Sequence, residues 1–289
     1  MPLALFSTPN TAPRLGKVIG ETIIDLTQAA PQLPGSVIEF LAAGTSARQA
    51  YDAVTARSTG AQVLADVRLH APVPNPEKFL AIGMNYADHG AEAEKLGLKE
   101  PEYQLWFNKQ VSCITGPFDD VVSPRVSEKL DYEVELAVVI GQTCRNVPRA
   151  EARSVIGGYM VANDVSARDW QLRTGTMTLG KSFDTHGPIG PWLTLDHEVD
   201  DPQALTVRML VNGVEKQCAS TAAMIFDIYD QIAYLSQVMT LKPGDILATG
   251  TPSGVGIAKD PPDFLQVGDV MRAEVEGLGY IENRVVADQ

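Results

Sequence analysis

The sequence predicts an α+β protein with a small N-terminal α/β unit over residues 1–70 and a larger, strand-rich unit over 71–289. Three observations carry that expectation. Short runs rich in Val, Ile and Leu recur along the chain, closed by Gly, Pro, Asn or Asp. Helical periodicity is confined to a few segments, chiefly 36–56 and 220–239. Pro72, Pro74 and Pro76 make a stiff extended connector between the two units.

Within the first unit, Leu15–Gly20 and Thr22–Leu26 read as a strand pair turning near Gly20. Ser36–Ala43 and Ser46–Ala56 read as two short Ser-capped helices. His70 ends the segment as a surface histidine. After the connector, residues 79–98 read as strand, turn and helix, with Asp88 as N-cap and Gly97 as stop. His89 and Glu92 are three apart, hence neighbours on one helical face. A carboxylate beside an imidazole raises its basicity, which suits general-base work on water; from spacing alone, an exposed charged helix with an incidental histidine is the better account. Gly90 and Gly97 bracket a helix too brief to stand without packing, so 86–107 is expected to form a lid whose moving part is 88–100. Tyr103, Trp106 and Phe107 would anchor it to the core.

The stretch LDYEVELAVVIG (130–141) has the composition of a buried strand, yet it contains Glu133 and Glu135. Strand side chains alternate faces, so both glutamates point the same way as Ala137 and Val139, with Cα atoms ~7 Å apart. Like charges on an apolar strand resist burial unless something positive joins them. Asp164 stands where the apolar run 159–162 gives way to polar residues. It is either a turn residue or a third carboxylate brought in by sheet pairing. Three carboxylates without histidine or cysteine describe a site for one hard divalent cation, Mg²⁺ first, with Mn²⁺ or Ca²⁺ as alternatives.

Further on, Lys181 lies in the turn LGKSFDTHGPIGP, flanked by Leu179 and Phe183 at the spacing of a buried strand face. His186 and His197 read as surface or structural. Asn212-Gly213 marks a hairpin. Ser220–Met239 reads as the longest amphipathic helix. LKPGDI (241–246) and LQVGDV (265–270) are matching turns that launch strands. ATGTPSGVG (248–256) lacks the Lys of a phosphate loop, but its backbone N–H groups can approach a substrate carboxylate, with Thr251 as an added donor.

Composition excludes several function classes. A net charge of −13 argues against a nucleic-acid surface or an anionic membrane. Cys113, Cys144 and Cys218 form no C-x-x-C pair and read as reduced thiols of a cytoplasmic protein. MPLALFSTPNT has neither the basic region nor the apolar core of a secretory signal. No apolar run approaches the ~18 residues of a membrane span.

Taken together, MNYADHGAE, DYEVELAVVIG, NDVSARDWQ, LGKSFDTHGPIGP and TGTPSGVG resemble the fumarylacetoacetate hydrolase family, in its short acylpyruvate-hydrolase-like branch, from about Lys78 to Val286. The resemblance implies a mixed β-roll with flanking helices, paired as a homodimer. It implies metal ligands at Glu133, Glu135 and Asp164, a His89–Glu92 dyad on a lid, and Lys181 as oxyanion stabiliser. Arg168, Gln171 and Thr251 are implied as contacts to a small dicarboxylic or keto-acid substrate. One departure stands out: fumarylacetoacetase supplies a further ligand aspartate where this chain has Asn85, which argues against fumarylacetoacetate as substrate.

The implied activity is metal-dependent hydrolysis of a C–C bond in 2,4-dioxo acids such as acylpyruvates or fumarylpyruvate. Tautomerisation or decarboxylation of oxaloacetate is the alternative, since it uses the same metal and enolate but no attacking water. A metal-stabilised structural protein would leave His89, Glu92 and Lys181 idle.

Overall fold

The computed structural model describes residues 1–88, 92 and 102–288. Strand β1 (Leu3–Ser7) pairs with β2 (Arg14–Ile19), which turns through Gly20 into β3 (Thr22–Asp25). The one-turn helix α1 (Leu26–Ala29) and the longer α2 (Val37–Asp52) follow. The two short helices expected here are one element broken at Gly44, whose φ of 61° and ψ of −135° are non-helical. Ser36 caps it, its hydroxyl accepting from Glu39 N at 3.2 Å. Strands β4 (Ala61–Val63) and β5 (Arg68–His70) close the segment. His70 is a half-buried ladder residue bonded to Ser7 Oγ at 2.8 Å, not a free surface histidine.

Past the proline connector come β6 (Phe79–Gly83), β7 (Leu105–Lys109), β8 (Ile114–Thr115) and β9 (Val121–Ser123). Next are β10 (Leu130–Asp131), β11 (Val134–Ile140), β12 (Ile156–Asn163) and β13 (Ser166–Ala167), which leads into the one-turn α3 (Arg168–Gln171). After β14 (Gly187–Leu195), the hairpin of β15 (Thr206–Val211) and β16 (Val214–Ser220) turns at Asn212-Gly213. Both turn residues have positive φ, 52° and 78°, as a two-residue hairpin loop requires. Helix α4 (Ile228–Val238) and strands β17 (Ile246–Ala248), β18 (Val270–Val275) and β19 (Gly279–Ala287) complete the chain.

Two expectations need correction. The helix expected over 220–239 begins only at Ile228, because β16 continues to Ser220 and Asp227 caps the helix through Asp230 N at 2.8 Å. Its apolar stripe is therefore Ile228, Ile232 and Leu235, all buried. The expected lid's anchoring end belongs to the sheet, since Leu105–Lys109 is a strand paired with β6. Phe107 is buried and Trp106 half-buried, as an anchor requires, but Tyr103 is 65% exposed and not part of the buried core.

The main sheet runs β4-β3-β2-β1-β14-β12-β11-β17-β6-β7, with β5 pairing beside β1 and β8 beside β14. Leu3 pairs with Leu193, so the first 70 residues extend the same sheet across the proline connector. A second sheet, β16-β15-β18-β19-β9, packs against it. Strand β11 sits centrally and is buried on both faces. Val134, Leu136, Val138 and Ile140 enter the core shared with the second sheet. Ala137 and Val139 enter the opposite core with Phe40 and Leu41 of α2. This double burial explains why β11 reads as a continuous apolar run rather than an alternating one.

His186 lies in the turn before β14 and is wholly buried, hence structural rather than a surface residue. Its Nε2 donates to the Val122 carbonyl at 3.0 Å. Burial pushes its pKa down to about 3; the Val122 hydrogen bond opposes the shift and the Lys109 charge adds to it. The folded state thus keeps the imidazole neutral, whereas the unfolded chain protonates it near pH 6.5. Stability should fall as pH drops from 6.5 toward 3, by up to about 1.4 kcal/mol per pH unit. Urea denaturation between pH 7 and 4 should show a steeper acid loss for wild type than for His186→Gln. Parallel profiles would mean that the imidazole contributes no linkage.

Candidate metal centre and its cavity

Pairing of β11 with β12 gathers the acidic residues. Val134 lies opposite Asn163, and Asp164 N donates to the Glu133 carbonyl at 2.9 Å. Asn163 Oδ1 accepts from Glu133 N at 3.0 Å. Glu133 itself sits in the break between β10 and β11, not within one unbroken strand over 130–141. The loop after β17 crosses this end of the sheet, and Gly250 N donates to Glu135 Oε2 at 2.7 Å. The approach is close: a Cβ on Gly250 would stand 2.7 Å from Asn85 Cβ, and its φ is +98°.

One carboxylate oxygen from each of Glu133, Glu135 and Asp164 lies within 4.8 Å of the others, and all three residues are buried. Burial, reinforced by the charges of Asp164 and Glu133, holds the Glu135 carboxyl well above the usual carboxylate range. At an effective dielectric of about 20, each like-charged pair at that distance costs about 3–4 kcal/mol. A divalent cation removes this repulsion. The donor set is all oxygen, so the residues fit a hard ion such as Mg²⁺, Mn²⁺ or Ca²⁺.

Among the described residues, three cations stand around the cluster. Lys181 Nζ donates to Glu133 Oε2 at 2.7 Å and Asp164 Oδ2 at 2.8 Å. Arg168 donates through Nε to Asp131 Oδ2 at 2.8 Å, and through Nη1 to Glu133 Oε1 at 2.5 Å and Gln171 Oε1 at 3.0 Å. Its Nη2 is buried and has no hydrogen-bond partner among the described residues. Lys109 Nζ donates to Asp164 Oδ1 at 2.6 Å and to the Lys181 carbonyl. Burial, the largest single influence, would lower the Lys109 pKa, but the charges of Asp164, Cys113 and Glu133 and the hydrogen bond to Asp164 together outweigh it, and the net shift is upward.

Lys181 does not sit on a strand face flanked by Leu179 and Phe183. It ends a 3₁₀ turn over Thr178–Lys181, and Leu179 is 56% exposed. Gly180 lets that turn close on α3, since any Cβ there would lie 2.1 Å from Gln171 N.

A cavity of about 500 Å³ opens above the cluster. Glu92, Glu133, Arg168, Gln171, Lys181 and Thr251 supply its polar wall, and Ile82, Met84, Leu105, Phe107, Leu172, Met177, Val255 and Ile257 its apolar one. The glycine-rich loop does not keep its N–H groups for a substrate. Gly250 donates to Glu135, Gly254 to Glu92 at 3.0 and 3.2 Å, and Gly256 to Asp131 at 2.7 Å. The Thr251 hydroxyl donates to the Val134 carbonyl at 2.9 Å and accepts from Gln217 at 2.8 Å. His89 and residues 93–101 lie outside the described residues, so the geometry of the His89–Glu92 pair and of the lid is not described.

The residues 78–286 match the family model described as fumarylacetoacetate hydrolase C-terminal. The chain belongs to the fumarylacetoacetate hydrolase family. It is 43% identical over 286 residues to the oxaloacetate tautomerase fahd2, mitochondrial, of Xenopus laevis, covering 97% of this chain and 88% of that protein. It is similar to the maleylpyruvate hydrolase of Sphingobium sp. SYK-6, solved with manganese(II) and pyruvate, at 35% identity and a TM-score of 0.84, with both chains covered completely. It is similar also to the fumarylacetoacetate hydrolase of Exiguobacterium antarcticum, at 34% identity and a TM-score of 0.85, again over all of both chains.

Two residues of the site were not singled out from sequence. Lys109 carries a readable signal, because it shares the buried parity of β7 with Phe107. Asp131, buried and bonded to Arg168, Tyr132 N, Gly256 N and Ile257 N, carries none beyond its place beside the acidic run.

Asn85 in this family member is a brace. Its Nδ2 donates to the Phe226 carbonyl at 3.0 Å and the Thr249 carbonyl at 2.8 Å, while Oδ1 accepts from Phe226 N at 2.9 Å. Asn85→Asp would set a carboxylate against two carbonyl oxygens and lose both donors. It should cost about 2–3 kcal/mol of stability without tightening Mn²⁺ binding, by thermal melts and calorimetric titration. Tighter Mn²⁺ binding at unchanged stability would show that position 85 can ligate.

Proposed function

We propose that this chain interconverts the keto and enol forms of a 2-oxo acid at a divalent-metal centre, with oxaloacetate as the leading substrate. The observation that carries the reading is the buried Glu133–Glu135–Asp164 cluster beneath a cavity rimmed by Lys181, Arg168 and Gln171. The likeness to the Xenopus laevis oxaloacetate tautomerase supports the substrate. Held by the three carboxylates, a divalent cation supplies Lewis-acid stabilisation of the enolate charge. Lys181 places an ammonium on the cavity wall, where it balances negative charge on the substrate oxygen and donates a proton to it. Arg168, with one buried donor uncommitted among the described residues, and Gln171 orient the acid. In this reading His89, oriented by Glu92, is the base that takes the proton from the carbon beside the keto group.

A specific observation favours hydrolysis as the second reading. The cavity volume and its apolar wall exceed what a four-carbon diacid fills. Here His89 takes a proton from water, and the water oxygen attacks the distal carbonyl of a 2,4-dioxo acid. The C–C bond breaks toward the enolate, which is then protonated to the 2-oxo acid.

Supporting the rest of the reading, Cys113, Cys144 and Cys218 are free thiols, as in the cytoplasm, and no helix among the described residues is long and apolar enough to cross a membrane. The net charge favours a small-molecule substrate over nucleic acid. A homodimer, which the family resemblance implies, is checked by light scattering.

Purified protein loaded in turn with Mg²⁺, Mn²⁺ and Ca²⁺ should accelerate loss of the enol-oxaloacetate absorbance. Hydrolysis of acylpyruvates without that activity would assign the second reading, and inactivity toward both would sink the two together. Glu135→Gln should lower metal affinity and turnover by ~10²-fold, because one ligand charge and its coordination site are lost. Unchanged affinity and rate would remove the cluster from the mechanism. His89→Ala should keep metal affinity and lose ~10²-fold or more in rate; a full rate would exclude it as the base.

A further inference from the structure

Lys109 is a wholly buried cation that the reading above leaves without a role. It ends β7, one alternation beyond Phe107, whose side chain lines the cavity. Lys109 lies behind that wall and does not line the cavity. Its Nζ has two acceptors that belong to two different parts of the site, Asp164 Oδ1 at 2.6 Å and the carbonyl of Lys181.

Each oxygen of Asp164 therefore has its own lysine. Lys109 holds Oδ1 from behind, and Lys181 meets Oδ2 at 2.8 Å on the cavity side. A carboxylate held at one oxygen by a fixed donor has its rotation set, so the other oxygen is aimed at Glu133 and Glu135. The second contact ties the Lys181 turn to the same ammonium. The spacing between the ligand carboxylate and the Lys181 side chain is thus set by one group that touches neither cavity nor substrate. Lys109 also balances one negative charge of the cluster without occupying the oxygens that face the cavity.

We propose that Lys109 is a positioning residue for the metal centre, orienting Asp164 and the Lys181 turn from outside the cavity. This rests on the three-carboxylate metal site of the preceding reading. Loss of an outer partner of a metal ligand typically weakens metal binding 10–100-fold. That range is the expectation for Lys109→Met.

The experiment is Mn²⁺ titration followed by electron paramagnetic resonance, without substrate, on wild type, Lys109→Met and Lys17→Met. Lys17 is the control: it is also buried, and donates to the Tyr51 and Val54 carbonyls at 2.9 Å each, in the N-terminal segment. The expected result is Mn²⁺ affinity at least ~10-fold weaker for Lys109→Met and unchanged for Lys17→Met, although both lower the melting temperature. A wild type that binds no Mn²⁺ overturns the metal centre, and this proposal with it. A wild type that binds, with Lys109→Met binding equally, overturns the proposal alone. Should Lys109→Met fail to fold, the ¹⁵Nζ resonance of Lys109 in wild type decides. It should shift on Mg²⁺ addition, and a resonance indifferent to Mg²⁺ overturns the proposal.

Discussion

Carboxylates packed together in a low-dielectric interior stay there only when positive charge or N–H dipoles meet their oxygens, and this fold is arranged to supply both. Glu133 takes Arg168 and Lys181, and Asp164 takes Lys181 and Lys109. Glu135 takes the Gly250 amide, and Asp131 takes Arg168 with the amides of Tyr132, Gly256 and Ile257. The strand order explains how one cluster draws on so many segments. β11 lies between β12, which ends at Asn163 just before Asp164, and β17, whose following loop provides the Gly250, Gly256 and Ile257 amides. The Lys181 turn precedes β14, the other neighbour of β12, and Lys109 ends β7 at the sheet margin.

The parts legible in the sequence are those governed by local periodicity. Alternation along 130–141 put Glu135 on the face of Ala137 and Val139, and β11 has that arrangement. Turn chemistry placed the Asn212-Gly213 hairpin. It also placed the two Gly-Asp turns, in which Asp245 accepts from Lys242 N at 2.8 Å and Asp269 from Gln266 N at 2.7 Å. The parts that were not legible depend on partners distant in sequence. A helix over 220–239 was plausible by amphipathicity, but pairing of β16 with β15 claims residues up to Ser220. Leu179 and Phe183 suggested a strand face around Lys181, yet the short turn is set by contact of Gly180 with Gln171. The parity of Lys109 with Phe107 signals its burial, but not its acceptors, which are 55 and 72 residues away. The loop 248–256 had the glycines that let backbone approach an anion, but only the tertiary structure reveals that the anions are the protein's own.

Tautomerisation and C–C hydrolysis share their first demand, an enolate charge next to a carboxylate, and under the proposed reading a cation held by the cluster would answer that demand, together with Lys181, in either case. The two reactions part at the carbon beside the keto group, which gives up a proton in one and an acyl group in the other. The deciding features therefore lie beyond the metal centre, in the room past that carbon and the base that serves it. Here the cavity is asymmetric. Among its described residues the cations are Arg168 and Lys181, both at the acidic end, while Leu172, Met177, Val255 and Ile257 form part of an apolar wall. At about 0.8 kcal/mol per buried CH₂, a three-carbon acyl tail on that wall gains about 2.4 kcal/mol. That corresponds to roughly 50-fold in affinity, since 1.4 kcal/mol is tenfold. A second carboxylate gains nothing from such a wall and prefers the solvent or the cationic end. One metal centre can thus serve both chemistries, with the shape and polarity of the distal group selecting which bond to the carbon is broken.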